Sequence, residues 1–154
     1  MFKRFVASLA VVGLLATATV WAAEKAEIKW EDIKCVMAPT KAANQEKFSE
    51  YKEGKVYFCC DGCKGKFDKD KDKFATQANH QLVATKQYKQ KACPLSGGDV
   101  NPEKTVKVNG VEVGFCCGNC QGKVAAAEGA EQLKLVFGDD AFKKGFEKPK
   151  KEGE

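Results

Sequence analysis

The sequence predicts an α+β fold made of two small units in tandem, each a β-hairpin followed by a helix. A twelve-residue stretch, Val56–Phe67, recurs as Val113–Val124 with seven identical positions, including three cysteines and a Gly-Lys pair. Both copies follow a segment in which strand-forming residues surround a turn. An internal repeat of this kind indicates two copies of one structural unit.

All eight cysteines belong to one pattern that occurs twice. In each copy a single cysteine precedes a Cys-Cys-x-x-Cys cluster, separated from it by 23 residues in the first copy and 22 in the second. Units of about 58 residues are near the size at which a hydrophobic core alone is marginal, so disulfides or a metal ion are expected to contribute to folding. The first copy contains Cys35, Cys59, Cys60 and Cys63, and the second contains Cys93, Cys116, Cys117 and Cys120.

Residues 1–22 have the layout of a secretory signal peptide. Two cations precede an apolar run, and small residues follow that run before the first acidic residue. Cleavage after Ala22 leaves 132 residues of the 154 and, with Lys3 and Arg4 removed, lowers the formal charge from +5 to +3. The apolar run of about 16 residues is shorter than the roughly 20 of a membrane span. We therefore expect an exported protein, periplasmic or extracellular, with no stable membrane insertion after cleavage.

The mature chain is expected to divide into four segments. The segment before the second unit lacks the Gly/Ser/Pro composition of a flexible linker, so the two halves are expected to pack together. The last residues are charged and include a proline, which favours disorder. The predicted segments are a lead-in at 23–34, a first unit at 35–80, a second unit at 81–146 and a disordered tail at 147–154.

The second unit gives the clearest hairpin signal. Asn109-Gly110 stands between Thr105–Val108 and Val111–Phe115, and this dipeptide between β-branched residues is typical of a tight hairpin turn. In both copies the second strand runs directly into the Cys-Cys pair. The first hairpin is predicted less regularly, with strands at Lys47–Tyr51 and Lys55–Phe58 and a turn at Lys52–Gly54.

A helix is expected directly after each cysteine cluster, with Asp61 or Asn119 capping its first turn. In the second unit this helix is expected to end at Gly138, with one further turn at 141–146. Residues 87–91 are expected to form a strand that leads into the second unit. Apolar residues predict the buried faces of these helices: Cys63, Phe67 and Phe74 in the first unit, and Val124, Leu133, Val136 and Phe137 in the second.

Clustered cysteines allow three functions, of which metal binding is favoured. Thiolates select soft ions such as Zn²⁺ and Cu⁺, and a helix N-terminus lowers the pKa of a thiol. A strand that ends in cysteine, a Cys-x-x-Cys at the helix start and a cysteine from a separate turn match zinc-ribbon and treble-clef sites. A disulfide framework suits an oxidising compartment and is the main alternative. A thiol–disulfide redox protein acting through the Cys-x-x-Cys motifs is the third.

The geometry of an extended chain ranks the ligands. Consecutive side chains point to opposite faces, so both cysteines of a Cys-Cys pair are not expected to face one ion unless the backbone turns there. This favours the second cysteine of each pair, and leaves Cys59 and Cys116 as fourth ligands or buried partners. The favoured ligands are Cys35, Cys60 and Cys63 in the first unit and Cys93, Cys117 and Cys120 in the second.

Several functions are disfavoured by what the sequence lacks. His80 is the sole histidine and has no counterpart in the second copy, so we expect a structural or exposed residue and not a ligand. With one histidine, no Ser-His-Asp arrangement and no Gly-rich phosphate loop, an enzyme is not expected. Lysines alternate with aspartates over 64–73, which indicates a solvated helix face and no nucleic-acid binding.

One stretch reads Tyr57-Phe58-Cys59-Cys60-x-x-Cys63-x-x-x-Phe67, and the other reads Cys93-Pro94-Leu95-Ser96-Gly97 followed by a hairpin into Phe115-Cys116-Cys117-x-x-Cys120. Both stretches resemble the YHS domain and the related TRASH domain, small treble-clef-like modules of metal-handling proteins. The resemblance implies metal-handling modules at 35–75 and 93–137, and with the soft thiolate ligands the function expected is binding of zinc or copper(I) for structure, storage or delivery. The resemblance does not identify a protein partner, and Ala38 and Ser96 stand where some metal-binding turns have a second cysteine. The ligands that the resemblance implies are Cys35, Cys59 and Cys63 in the first module and Cys93, Cys116 and Cys120 in the second.

Overall fold

The structure, a computed structural model, describes residues 28–150. The predicted signal peptide at 1–22 and part of the lead-in lie outside this range. The described part of the chain is α+β, with three two-stranded antiparallel sheets and five α-helices, and none of its helices is both long and apolar enough to span a membrane. The elements are β1 (Asn44–Tyr51), β2 (Gly54–Phe58), α1 (Asp61–Lys69), α2 (Ala75–Ala84), β3 (Lys89–Gln90), β4 (Asn101–Val108), β5 (Val111–Phe115), α3 (Gly118–Ala125), α4 (Gly129–Phe137), α5 (Asp139–Gly145) and β6 (Phe146–Glu147).

Both predicted hairpins are present, and they have the same register. Ser49 pairs with Val56 in the first hairpin, and Val106 pairs with Val113 in the second, 57 residues further along in each case. Successive side chains of a strand point to opposite faces, so alternate residues of the second strand enter the core. These fully buried residues are Val56 and Phe58 in β2, and Val113 and Phe115 in β5.

Both hairpins close through two-residue turns with positive φ. Asn109 has φ 45° and Gly110 has φ 90°, as the Asn-Gly signal predicts. In the first hairpin Lys52 and Glu53 adopt φ 45° and 60°, and Gly54 is the first residue of β2 instead of the third residue of the turn. The first hairpin therefore has the same turn geometry, but it places non-glycine residues in left-handed backbone, which costs free energy.

The helices after the cysteine clusters begin earlier than their predicted caps allow, by one residue in the first unit and by two in the second. Cys60 is the N-cap of α1 and Cys117 is the N-cap of α3, both with extended backbone. Asp61 is already helical, and its carboxylate accepts a hydrogen bond from Lys47 at 2.8 Å. Asn119 likewise lies inside its helix. The prediction that Asp61 or Asn119 caps the first turn is therefore wrong, because the strand ends before the Cys-Cys pair.

The segment between the units is helical where the sequence suggested a boundary. Helix α2 covers 75–84 and so crosses the expected boundary between residues 80 and 81. The strand expected at 87–91 is reduced to β3, Lys89–Gln90, which pairs with β6. Of the tail expected at 147–154, Glu147 lies in β6 and Lys148 donates a hydrogen bond to the carbonyl oxygen of Glu53 at 2.8 Å, and residues 151–154 lie outside the described range.

One hydrophobic core serves both units, as expected for halves that pack together. Asn79 of α2 is fully buried and donates hydrogen bonds to the Phe137 carbonyl oxygen at 2.9 Å and to the Asp139 carboxylate at 3.0 Å. Lys52 donates to the side-chain oxygen of Asn79 at 3.0 Å and to Asp139 at 2.5 Å. This network joins the turn of the first hairpin to the last helices. The largest fully buried apolar side chains are Phe58, Phe67, Leu82, Phe115 and Phe137.

Candidate metal centres

Three cysteine sulfurs meet in each unit. The Sγ atoms of each group all lie within 4.8 Å of one another. Two of them, one at the end of a strand and one on the following helix, are 3.7 Å apart in both units. Four thiolates around one ion at a Zn–S distance of about 2.3 Å are separated by about 3.8 Å, so this spacing fits a metal–thiolate site. The first triad is Cys35, Cys59 and Cys63, and the second triad is Cys93, Cys116 and Cys120.

The helical cysteine of each triad is oriented by a core residue one turn further on. Cys63 precedes Phe67 by four residues, and Cys120 precedes Val124 by four, so each pair shares one face of its helix. Phe67 and Val124 are fully buried. Anchoring that face in the core turns the cysteine above it toward the end of the preceding strand.

The first cysteine of each triad lies in a hydrogen-bonded loop that folds back over the hairpin. The amide of Cys35 donates to the carbonyl oxygen of Lys41 at 2.9 Å, and the amide of Cys93 donates to that of Gly98 at 2.8 Å. The second loop is one residue shorter, and it closes through Gly97 at φ 78°. This single residue accounts for the spacings of 23 and 22 residues in the sequence.

Cys60 and Cys117 stand beside the triads without belonging to them. Their sulfurs lie 3.8 Å from Cys59 and 3.7 Å from Cys116, respectively, and both residues are exposed. The structure thus places the first cysteine of each Cys-Cys pair in the triad, the reverse of the order that extended-chain geometry suggested. The reason is that the strands end at Phe58 and Phe115, so the backbone turns at the pair.

The pKa values of the thiols separate the exposed cysteines from the helical ones. The backbone amide of Cys63 lies close enough to lower the pKa of Cys60, although Cys60 makes no capping hydrogen bond of normal geometry. The amide of Cys120 lowers the pKa of Cys117 in the same way. Burial raises the pKa of Cys63 and of Cys120 to about 12. Each cluster therefore holds protons that a bound cation would displace.

The second loop adds a hydroxyl group to its triad. The Ser96 hydroxyl lies 3.1 Å from the Cys116 sulfur, where the first loop has Ala38. Burial alone would raise the pKa of Cys93, but Ser96 and the surrounding backbone amides lower it to about 6. A thiolate is thus stabilised at Cys93 before any ion binds.

Two glutamines that the sequence analysis did not single out tie each loop to its hairpin. Gln81 accepts from the Tyr57 amide at 2.6 Å, and donates to the Tyr57 carbonyl at 2.9 Å and to the Lys34 carbonyl at 2.8 Å. It thereby joins the residue before Cys35 to the strand that ends at Cys59. The signal in the sequence was a glutamine on the apolar face of a helix. In the structure Gln81 is only 3% exposed.

Gln90 does the same for the second triad from a different element. It accepts from the Gly114 amide at 2.9 Å, and donates to the Gly114 carbonyl at 2.6 Å and to the Ala92 carbonyl at 3.0 Å. Ala92 and Gly114 are the counterparts of Lys34 and Tyr57. Because Gln90 belongs to β3 and Gln81 to α2, the sequence repeat does not contain this correspondence.

The hydrogen bond and the ring contact of His80 are made away from the cysteine triads. Its ring forms a hydrogen bond with the Asn109 carbonyl oxygen at 3.1 Å and packs edge-on against Phe137. Burial lowers the pKa of His80. These contacts join α2 to the turn of the second hairpin, which gives His80 a structural role between the units.

All eight cysteines are free thiols in the structure. The arrangement is that of a small α+β protein with two cysteine triads positioned to bind metal ions. No protein-family model, no curated protein and no solved structure matches the chain.

Proposed function

We propose that this is an exported protein that binds two soft metal ions, one at each cysteine triad. The observation that carries the proposal is the convergence of three sulfurs in each unit, with separations of 3.7 Å between the strand and helix cysteines. Three thiol groups from a loop, a strand end and a helix are brought together by the same hairpin register in both units. A hydrophobic core needs no such convergence of sulfur.

The ion that suits these donors is zinc or copper(I). Soft thiolate ligands select these ions over magnesium, calcium or manganese. Three sulfurs satisfy a trigonal copper(I) ion, whereas zinc takes a fourth ligand to complete a tetrahedron. Water can occupy that fourth position, because Cys60 and Cys117 lie outside the triads.

We further propose that each unit is a treble-clef-like module related to the YHS and TRASH domains. Support comes from the order of parts in each unit: a loop with the first cysteine, a hairpin, and a helix with the last cysteine. The two ligand triads are also the sets that the resemblance implies. A role in storage or delivery is favoured over a purely structural role because an exposed cysteine borders each triad.

Metal titration of the reduced protein tests binding. Mature protein in reducing buffer is titrated with Zn²⁺, and separately with Cu⁺, against a chromophoric chelator. We expect two ions bound per chain and a loss of reactive thiols on loading, together with proton release. Uptake of no ion by a folded, fully reduced chain would exclude the proposal.

Thiol–disulfide exchange is the second candidate function. Within each Cys-x-x-Cys motif, the first thiol is exposed with a lowered pKa and the second has a raised pKa, the asymmetry that thiol oxidoreductases use. A disulfide-reductase assay separates the two candidates, because metal binding without turnover supports the first and turnover without metal uptake supports the second.

Export is tested by the mass of the native protein. Cleavage after Ala22 predicts a mature N-terminus at Ala23 and recovery of the protein outside the cytoplasm. An intact mass that still includes Met1 contradicts the predicted signal peptide.

A further inference from the structure

The exposed cysteines at the rims of the triads lead to an inference that rests on the proposed metal binding. Cys60 and Cys117 are exposed, whereas every triad member is buried or half-buried. Each lies within 3.8 Å of a triad sulfur. The same arrangement occurs in both units, although the two loops differ in length and the glutamines that tie them to the hairpins, the tethers Gln81 and Gln90, lie on different elements.

We propose that Cys60 and Cys117 are exchange ligands through which a soft ion passes between the triads and thiol-bearing carriers in solution. The partner class is a low-molecular-weight or protein thiol that holds copper(I) or zinc. The triad is the resting site, and the exposed cysteine makes the first and last contact with the ion.

Each triad is buried on one side and accessible to solvent from the other. Cys35 is 2% exposed and Cys93 is fully buried, so an ion cannot approach from the loop side. Cys59 and Cys63 are half-buried, and Cys60 is the one exposed cysteine of the first cluster. An arriving ion therefore meets Cys60 first, and Cys59 lies at bridging distance from it.

Capping of the helix does not explain a cysteine at these positions. Serine, threonine, aspartate and asparagine are the preferred N-caps, since their oxygen accepts from the first amides of a helix. Neither Cys60 nor Cys117 makes a side-chain capping hydrogen bond of normal geometry. Two thiols at exposed helix starts, each beside a triad, are accounted for by a role of the sulfur itself.

The exchange step keeps the oxidation state of the ion and balances its bonds. The thiolate of Cys60 forms a bond to the ion as one carrier sulfur leaves. Cys59 and then Cys63 and Cys35 replace the remaining carrier sulfurs, and the Cys60 bond breaks last. Protons released by the cysteines pass to the departing carrier thiolates. Delivery is the reverse sequence, and Cys117 serves the second triad in the same way.

Serine at both positions tests the proposal cleanly. Serine is a good N-cap, so Cys60→Ser with Cys117→Ser preserves the helix starts while removing the exposed sulfur. The matched control is Asp61→Asn with Gly118→Ser, which alters the adjacent exposed positions. A Cβ at Gly118 meets nothing within 4 Å. Copper(I)-glutathione is the donor, and a copper(I) chelator is the acceptor.

We expect the serine variant to bind two ions at nearly unchanged equilibrium affinity, with loading and release each slowed by about tenfold or more because the exposed soft donor is gone. The control should exchange at the wild-type rate. Unchanged rates in the serine variant overturn the proposal, and so does loss of affinity, which would make these cysteines resident ligands. If the wild-type chain takes up no ion, the proposed metal binding fails together with the inference.

A second measurement needs no variant. Wild-type protein loaded with copper(I) is treated briefly with iodoacetamide and digested. We expect Cys60 and Cys117 to be alkylated rapidly while both copper(I) ions stay bound. The alkylated protein should then release its ions slowly. Protection of these two thiols equal to that of the triad overturns it.

Discussion

The loop that holds the first cysteine of the triad is one residue shorter in the second unit than in the first, and a different glutamine ties it to its hairpin. The sulfurs of the strand and helix cysteines are nevertheless 3.7 Å apart in both units. Gln81 reaches the first hairpin from a helix, whereas Gln90 reaches the second from a strand. The parts that the two units share are the hairpin register and the cysteine one turn before a buried residue. The distance between the sulfurs thus depends on those shared parts, whereas a different residue holds the loop in each unit.

The largest expected effect comes from removing one triad sulfur. Cys63→Ser or Cys120→Ser should each reduce binding from two ions to one, and loosen one unit, because ligation of structural zinc contributes an apparent 10–16 kcal/mol in small domains. Elemental analysis and circular dichroism measure both effects. Cys117→Ser is the control, since it removes a cysteine outside the triads. Two ions retained by both triad variants would contradict the assignment.

The sequence repeat was sufficient to predict the hairpins, a helix after each cysteine cluster and the convergence of cysteines. The register of Val106 and Val113 follows from Asn109-Gly110, because a turn of two residues fixes which residues pair. Two features could not be derived from the local sequence pattern. The choice between Cys59 and Cys60 depends on where the strand ends. The tethers Gln81 and Gln90 act over distances that no local pattern records.

The next effect concerns the tethers, and it distinguishes the units. Gln81→Leu leaves the Tyr57 amide and two carbonyl groups without their partner, and should cost about 2–4 kcal/mol of the unfolding free energy. It should weaken the first site and spare the second. Gln90→Leu should do the reverse. Gln77→Leu, an exposed change on the same helix as Gln81, is the control. Equal weakening of both sites by either tether variant would show that the tethers act only on global stability.

A smaller effect is expected at the hairpin turns, with opposite signs. Glu53→Gly should stabilise the protein by about 0.5–1 kcal/mol, since glycine adopts positive φ without strain. Gly110→Val should destabilise it by about 1–2 kcal/mol at the equivalent position. Chemical denaturation of the metal-loaded protein measures both. Shifts of the same sign would contradict the turn geometry at φ 60° and 90°.

The smallest effect is an acid dependence at the junction of the units. The hydrogen bond from Lys52 lowers the pKa of Asp139 below its usual 3.8. A lowered folded pKa adds stability above the ordinary value, which is lost as pH falls through the folded value. The side chain is 46% exposed, so the contribution should stay below about 1 kcal/mol. Asp139→Asn should remove it, seen as a smaller loss of stability between pH 5 and 3 than in the wild type. An identical pH dependence would contradict the role of this pair.

The central claim is that each triad holds a soft ion through sulfur, and X-ray absorption at the metal edge tests it most directly. Protein loaded with two zinc ions should show a first shell of three or four sulfurs at about 2.3 Å. Because the two triads share their sulfur spacing, one shell should fit both ions, and the single-site variants Cys63→Ser and Cys120→Ser should give the same spectrum. A first shell dominated by oxygen or nitrogen, or a single sulfur per ion, would contradict the account.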